Sequence, residues 1–171
     1  QLFTPSRTKR PKQIGVNKLK VRGFEVVNEA SRKFPEQTIS LPIRGDKGSA
    51  GYDFFSNETV TIVPGEKHIF WTDIKSYMQE DEVLNIYVRS SIGIKKGLLL
   101  CNGTGIIDSS YYSNPGNDGN IGIAIKNFSN EPVSIEAGER VAQGVFQKYL
   151  VADTDIVANE SRVGGVGSTG R

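Results

Sequence analysis

Cysteine and histidine are nearly absent from this 171-residue chain, which has one of each, Cys101 and His68. The chain therefore has no internal disulfide framework and no zinc site made of histidine and cysteine ligands. Cys101 ends an apolar run over 97–101 and is expected to be a buried, inert thiol in a reducing compartment. His68 lies in a strand-like stretch, where a structural role is expected. If the protein is an enzyme, its base is expected to be a carboxylate.

Long hydrophobic runs are also missing, and the apolar run 97–101 falls far short of the roughly 20 residues of a membrane helix. No basic segment followed by an apolar stretch and a small-residue cleavage site opens the chain, so secretion has no support. We therefore expect a cytoplasmic protein without a membrane partner.

Acidic residues are absent from positions 1–23, which carry a charge of +7, while the remainder carries −5 and the whole chain +2. Such an arm could contact nucleic acid, but it lacks the interleaved aromatic residues that stack on bases. We expect residues 1–18 to be a mobile, solvated tail and do not expect nucleic acid as a partner.

Helical periodicity is the last absence, since no window of 12 residues has an apolar stripe at helical spacing. Only 73–81 could form a short turn of helix. Period-two alternation and frequent turn signals instead predict an all-β domain over 19–160, of the sandwich, barrel or jelly-roll type. The predicted strands are 20–27, 60–63, 67–72, 83–89, 98–101, 121–127, 132–135 and 141–149.

Four segments could carry chemistry. Arg89-Ser90-Ser91 ends a strand and offers a guanidinium and two hydroxyls to phosphate oxygens, although serine also simply forms turns. In the segment 103–112, Asp108 lies near two tyrosines and a glycine-rich loop. It could orient a water molecule or could be a turn residue of a hairpin.

The other two segments are weaker signals. Arg140 and Gln143 are three residues apart and would lie on opposite faces of a regular strand. The glycine-rich end, 161–171, cannot offset its own ordering entropy and needs a ligand or another subunit to become ordered. It lacks the lysine and the following helix of a Walker P-loop.

Together with Ala50-Gly51-Tyr52-Asp53, these four segments resemble, in order, the five motifs of the trimeric deoxyuridine triphosphatases (dUTPases). The resemblance covers roughly residues 19–170. It implies a distorted jelly-roll β-barrel that assembles as a homotrimer, with the flexible C-terminal arm 161–171 closing over the active site of a neighbouring subunit. The implied activity is hydrolysis of dUTP to dUMP and pyrophosphate, which limits uracil in DNA and supplies dUMP for thymidylate synthesis.

The resemblance also implies roles for individual residues. Asp108 is the general base, and Tyr111 packs against deoxyribose and excludes a 2′-hydroxyl. Main-chain groups near Gly105 and Gly122, assisted by Asn102, read uracil.

The implied phosphate contacts come from Arg89, Ser90 and Ser91, with Arg140 as structural support. Mg²⁺ is held mainly by the substrate phosphates and water, with Asp53 and Gln143 acting through water. The arm contributes the γ-phosphate clamp and the lid, made up of Arg162, Val166, Gly167, Ser168 and Thr169.

The chain departs from the family pattern at two positions. Ser110 replaces an aspartate, with little expected consequence. Val166 replaces a phenylalanine that stacks on uracil, so weaker substrate retention is expected. The longer loop Tyr112–Asn120 is similar to that of some Gram-positive bacterial and phage members.

Two alternative functions remain open. The loop Tyr112–Asn120 could dock another protein, which would make the chain a regulatory binding protein with reduced activity. A dCTP deaminase shares the fold and an Arg-Ser-Ser motif, but it needs a glutamate in the strand 121–126, which has no acid here.

Overall fold

The computed structural model of the chain describes residues 19–162 and 164–165. The strands in this part of the chain are β1 (Gly23–Val26), β2 (Ile43–Arg44), β3 (Tyr52–Phe55), β4 (Val60–Ile62), β5 (Lys67–Trp71), β6 (Ile74–Tyr77), β7 (Glu82–Val88), β8 (Leu98–Leu100), β9 (Gly105–Asp108), β10 (Gly122–Asn127), β11 (Val133–Ile135) and β12 (Arg140–Lys148). Two short 3₁₀ turns, Glu29–Ser31 and Ser109–Tyr111, and a π-helical turn, Ser91–Lys95, interrupt them. The predicted all-β class is confirmed.

The strands pair antiparallel in four sheets. The largest has the order β2-β3-β12-β7-β9, and a second has the order β5-β10-β8. The pairs β1-β6 and β4-β11 form the other two sheets. Strands distant in sequence are neighbours in both larger sheets, which is the crossover topology of a jelly roll rather than of a chain of hairpins.

One hydrophobic cluster joins these sheets. Phe54, Leu84 and Val141 enter it from the five-stranded sheet, and Phe70 and Ile125 enter it from the three-stranded sheet. Along β7 and β10, buried and partly exposed residues alternate, as expected for strands with one face on the core. Each fully buried side chain of this size contributes about 1.5–3 kcal/mol relative to an exposed one.

The eight predicted strands all exist, with ends shifted by three residues or fewer. The predicted helical turn over 73–81 is wrong, because residues 74–77 form β6 and pair with β1. The polar Ser76 obscures the alternation of apolar and polar residues in β6, because its side chain lies on the buried face. There its hydroxyl donates to the carbonyl oxygen of Gly23 at 3.1 Å. Asp73, with φ of 55°, bends the chain between β5 and β6.

Cys101 is exposed, so the prediction of a buried thiol is wrong. It begins the turn after β8, and its backbone N–H donates to Ala124 at 2.9 Å while the side chain faces solvent. None of the helical turns in the described part of the chain has the length and apolar content needed to cross a bilayer.

Candidate active site

Two cavities contain the predicted site residues. The first, of about 460 Å³, lies between β3, β12, the π-helical turn and the loop before β3, and we call it the serine cavity. Its lining comprises Gly45, Ser49, Gly51, Asp53, Arg89, Ser90, Ser91, Ile94, Lys95, Arg140 and Gln143. It therefore unites the Arg-Ser-Ser segment with Asp53, Arg140 and Gln143.

Arg140 and Gln143 both line the serine cavity, so their predicted placement on opposite faces of β12 is wrong. The pairing of β12 with β3 changes register between Arg140 and Ala142. A β-bulge at this point inserts one extra residue and reverses the alternation that a regular strand would have. The bulge is what brings the two side chains to one cavity.

Asp53 carries the buried charge of the serine cavity. One carboxylate oxygen lies 3.0 Å from Nε of Arg89, and the other lies 3.2 Å from Nη1 of Arg140. Its side chain is 8% exposed, whereas those of the two arginines are 32% and 41% exposed. Asp53 thus fixes both guanidinium groups at the cavity, and its predicted contact with magnesium through water stays a prediction.

Gly51 permits the close approach of β12 to the loop before β3. A Cβ atom there would overlap the side-chain amide oxygen of Gln143. The glycine of the Ala50-Gly51-Tyr52-Asp53 motif therefore leaves room for Gln143 at the cavity wall. Ser90 precedes the π-helical turn without capping it through its side chain, and it is exposed.

The second cavity, of about 400 Å³, is mainly apolar, and we call it the tyrosine cavity. It lies between β9, β10 and β5, and its lining comprises Ile69, Trp71, Ile86, Leu100, Asn102, Gly105, Ile106, Ile107, Asp108, Tyr111, Gly122, Ile123, Ala124 and Arg162. The predicted uracil-reading residues are thus brought together.

The two cavity glycines are places of close packing. A Cβ atom on Gly122 would come within 2.9–3.1 Å of the Trp71 ring, and one on Gly105 within 2.9 Å of Cβ of Ile86. A larger residue at either position would force Trp71 or Ile86, or the strand itself, to shift at the cavity wall. Sequence reasoning missed Trp71, although a lone tryptophan in a strand next to a glycine-containing partner strand was an available signal.

Asp108 ends β9 and immediately precedes the 3₁₀ turn at the rim of the tyrosine cavity. Its side chain is 50% exposed, and one carboxylate oxygen lies 2.5 Å from Nη2 of Arg162. Nε of Arg162 also donates to the hydroxyl of Ser110 at 3.3 Å. Arg162, predicted to clamp the γ-phosphate, is therefore placed on the carboxylate of Asp108 in this structure, with its side chain only 10% exposed.

Tyr111 is a buried wall of the same cavity, 6% exposed. Its hydroxyl donates to the carbonyl oxygen of Asn120 at 2.7 Å and accepts from Nδ2 of Asn117 at 2.8 Å. Burial raises the pKa of Tyr111 above its ordinary value, against a smaller lowering by the amide of Asn117. The phenol is consequently neutral throughout the physiological range. The guanidinium of Arg162 lies 5.5 Å from its ring centre.

The loop Tyr112–Asn120 is held largely inside the molecule. Asn114, Asp118 and Asn120 are buried, and Asp118 forms a 2.9 Å ion pair with Lys75. Its exposed residues are Ser113, Pro115 and Gly116. Protein docking at this loop therefore stays a prediction, with little exposed surface to support it.

The predicted site residues are divided between the two cavities, and some lie outside the described part of the chain. Among the described residues, none lines both cavities. Ser90 lines the serine cavity and Asp108 lines the tyrosine cavity. Val166, Gly167, Ser168 and Thr169, like the tail 1–18, lie outside the described residues. Lys95 and Ser49 line the serine cavity without having been predicted as site residues.

Metal-binding side chains are sparse at both cavities. Within 19–162 and 164–165 there is no group of three or more histidine, cysteine, aspartate or glutamate side chains that could hold an ion. The carboxylate at the serine cavity, Asp53, is already paired with two arginines. This donor set suits a hard cation that arrives with phosphate and water ligands.

Comparison with known proteins gives one consistent result. The family model for dUTPase matches residues 37–170. The deoxyuridine 5′-triphosphate nucleotidohydrolase of Lactococcus lactis subsp. lactis (strain IL1403) is 50% identical over 153 residues, covering 89% of this chain and 99% of that protein.

Solved structures agree. The dUTPase of Streptococcus mutans has a TM-score of 0.67 and 41% identity, covering 77% of this chain and 98% of that chain. A variant of the dUTPase from phage phi11 of S. aureus, whose structure describes the coordination of a structural Mg(II) ion, has a TM-score of 0.61 and 26% identity, covering 82% and 99% of the two chains. Since the family model matches most of the chain and a relative of 50% identity is covered almost in full, the chain belongs to the dUTPase family.

Proposed function

We propose that this chain hydrolyses dUTP to dUMP and pyrophosphate, with Asp108 as the general base that activates the attacking water. The position of Asp108 carries the proposal. Its half-exposed carboxylate stands at the rim of an apolar cavity whose wall contains two glycines and a buried tyrosine. A base at the mouth of such a cavity can act on a group held just outside it while the cavity holds the rest of the substrate.

Uracil fits the tyrosine cavity by shape and by backbone chemistry. Gly105 and Gly122 lie on β9 and β10 and expose main chain to the cavity, since neither has a side chain that would cover it. Main-chain donors and acceptors can pair with the uracil edge, whereas cytosine presents mismatched groups and the thymine methyl adds bulk. Asn102 stands at the same cavity and assists this pairing.

Deoxyribose packs against Tyr111, next to the general base. The ring is buried and held by two hydrogen bonds of its hydroxyl, so it forms a fixed wall. A fixed wall rejects an added 2′-hydroxyl by steric crowding, which selects deoxyribonucleotides.

The triphosphate is bound by the serine cavity. Arg89, Arg140 and Lys95 give it three positive charges against the single negative charge of Asp53. The hydroxyls of Ser90 and Ser91 add donors at the mouth, with Ser90 near the α–β bridge. Positioning and charge stabilisation in this cavity would account for most of the rate.

Mg²⁺ would be held mainly by the substrate phosphates and water, with Gln143 and Asp53 contacting its water ligands. The bound ion would neutralise charge on the triphosphate and orient it. This chain's own residues hold the phosphates through Arg89 and the two serines, and Asp108 takes the proton from the attacking water.

A homotrimer brings the two cavities together. Ser90 and Asp108 line different cavities of one chain, and one triphosphate must reach both. Pairing the serine cavity of one subunit with the tyrosine cavity of another completes a site, and symmetry then gives three such sites. The glycine-rich arm would close over each site, with Arg162 moving from Asp108 to the γ-phosphate when substrate binds. Cys101, free and exposed, fits a reducing cytoplasm.

Pyrophosphate release from dUTP with magnesium, beside dCTP, dTTP and UTP, tests the proposal. We expect release from dUTP alone and a loss of about 10²–10⁴-fold in kcat with Asp108→Asn, which keeps the shape and removes the base. Asp155→Asn makes the same chemical change at an exposed position and should keep full activity.

Two results would contradict the assignment. Full activity of the Asp108→Asn variant would remove Asp108 from its role. Ammonia release from dCTP would indicate a deaminase, although the tyrosine cavity has no glutamate among its described lining residues.

A further inference from the structure

We propose that Asn117 is a positioning residue, which fixes the Tyr111 wall and seats the C-terminal arm beside it. The proposal rests on the proposed function of Tyr111 as the deoxyribose wall. It assigns a role in selectivity to a loop that hydrolysis alone does not require.

The first observation is the bond to Tyr111. Nδ2 of Asn117 donates to the phenol oxygen at 2.8 Å, and the phenol donates onward to Asn120 at 2.7 Å. The hydroxyl therefore has one donor and one acceptor at fixed positions. A buried ring with its hydroxyl held on both sides has little freedom to rotate or withdraw.

The second observation is that the orientation of the Asn117 amide is itself determined. Its Oδ1 accepts from the backbone N–H of Gly119 at 3.1 Å and from Nδ2 of Asn114 at 2.9 Å. Because a backbone N–H can only donate, the oxygen must face Gly119, and the NH₂ group must face Tyr111.

The loop that carries Asn117 is anchored to the body of the domain. Asp118 accepts from the backbone N–H of Asn28 at 2.7 Å and pairs with Lys75, while Asn120 bonds the fully buried Asp73 at 2.8 Å. These contacts reach β6 and the segment before β2, so Asn117 stands on a rigid base. The hydroxyl of Tyr111 is thereby fixed by an anchored loop that lies outside the cavity.

The third observation is the close approach of the arm. A Cβ atom on Gly165 would lie 3.1 Å from Nδ2 of Asn117, and one on Gly116 would lie 3.2 Å from Cα of Gly164. The arm backbone thus lies directly on the loop at Asn117.

Asn117 therefore links the Tyr111 wall to the arm that is proposed to close the site. If the amide no longer donates to Tyr111, the wall loosens and the seat of the arm changes at the same time. Selection against the 2′-hydroxyl should then decline, and the arm should become more susceptible to proteolysis.

Asn117→Asp tests this, because it keeps the shape and the acceptor for Gly119 but replaces the donor with a charged acceptor. We expect kcat/KM for dUTP to fall about tenfold, in line with one buried hydrogen bond, and the ratio of dUTP to UTP activity to fall with it. Tryptic cleavage at Arg162 should become faster in the complex with dUpNHpp, an imido analogue of dUTP used in place of the substrate. Asn130→Asp adds the same charge on an exposed loop and should change none of these.

A double-mutant cycle with Tyr111→Phe separates positioning from general destabilisation. Phenylalanine keeps the ring and removes the same bond from its other side, so the two losses should not add. Phenolate absorbance titration, with Tyr111→Phe identifying the Tyr111 component, should show a higher pKa for Tyr111 in the Asn117→Asp variant.

Additive losses, or an unchanged dUTP to UTP ratio with an unchanged cleavage rate, would overturn the role of Asn117. If Asn117→Asp fails to fold, the single Tyr111→Phe variant decides: an unchanged ratio counts against the bond. A wild-type protein without dUTP turnover would instead refute the proposed function, and the Tyr111 titration would still show whether the bond exists.

Discussion

Asp53 is the residue whose environment most constrains the serine cavity. A nearly buried carboxylate between two partly exposed arginines is compensated only while both partners remain. Removing one charge from such an arrangement leaves the other groups poorly paired, which costs more than the pair contributes. A residue with only a water-mediated contact to a bound ion would have no such effect on the empty protein.

Asp53→Asn should therefore lower the free energy of unfolding by about 1–3 kcal/mol, even without nucleotide or magnesium. Urea unfolding of the wild type and the variant measures the difference. Asp155→Asn, at an exposed position, provides the control and should unfold like the wild type. Equal stability of Asp53→Asn and wild type would show that the ion pairs contribute nothing and would favour a role limited to magnesium.

At the scale of elements, β7 and the segment leading to β1 are joined by one ion pair. Glu82 begins β7 and is 3% exposed, and Arg22 lies 2.6 Å from its carboxylate. The hydrogen bond from Arg22 lowers the pKa of Glu82, with burial opposing the shift. A lowered pKa in the folded state means that the pair stabilises the fold above the unfolded pKa, about 4.3, and loses its effect as the pH falls through the folded pKa.

Glu82→Gln should accordingly melt below the wild type at pH 7, and the two melting temperatures should converge as the pH falls below about 4. Thermal unfolding across this range measures the difference. A gap that stays constant at low pH would mean that the variant acts through packing and not through the charge of Glu82.

The sequence predicted strands where one face alternates cleanly, as in β7 and β10, and missed them where the alternation is obscured. In β6 a buried serine bonded to a neighbouring carbonyl occupies an apolar position, so the period is invisible without the partner strand. At the site, the motifs predicted residues that the structure places at each of the two cavities, while their roles stay predictions. The shared face of Arg140 and Gln143 was unpredictable because the bulge depends on how β12 meets β3, which is a property of the pairing and not of β12 alone.

The loop after Tyr111 is a second feature that the sequence predicts only in part. Its composition, rich in asparagine and glycine, predicts a turn. The partners of the buried Asp118 and Asn120 are Lys75 and Asp73, which are distant in sequence, so local patterns do not reveal them. A loop whose composition indicates an exposed turn is therefore largely buried beside Tyr111, which lines the tyrosine cavity.

At the scale of the whole molecule, the separation of Ser90 from Asp108 has a consequence that can be measured. If each active site combines the serine cavity of one chain with the tyrosine cavity of another, two variants defective in different cavities can complement each other. In such an assembly, Ser90→Ala and Asp108→Asn would each damage every site of their own homotrimers. A mixed trimer contains some sites that receive Ser90 from one chain and Asp108 from the other.

Co-refolding equal amounts of the two variants should restore dUTP hydrolysis to about a quarter of the wild-type rate, because each intact contribution is present with a chance of about one half. The same variants mixed without unfolding should stay near their own low activities unless subunits exchange. A double variant, Ser90→Ala with Asp108→Asn on one chain, co-refolded with wild type provides the matched control, since it can only dilute activity. If one chain supplies both groups to its own site, the co-refolded single variants will not regain dUTP hydrolysis. The prediction of a site shared between two chains is then wrong.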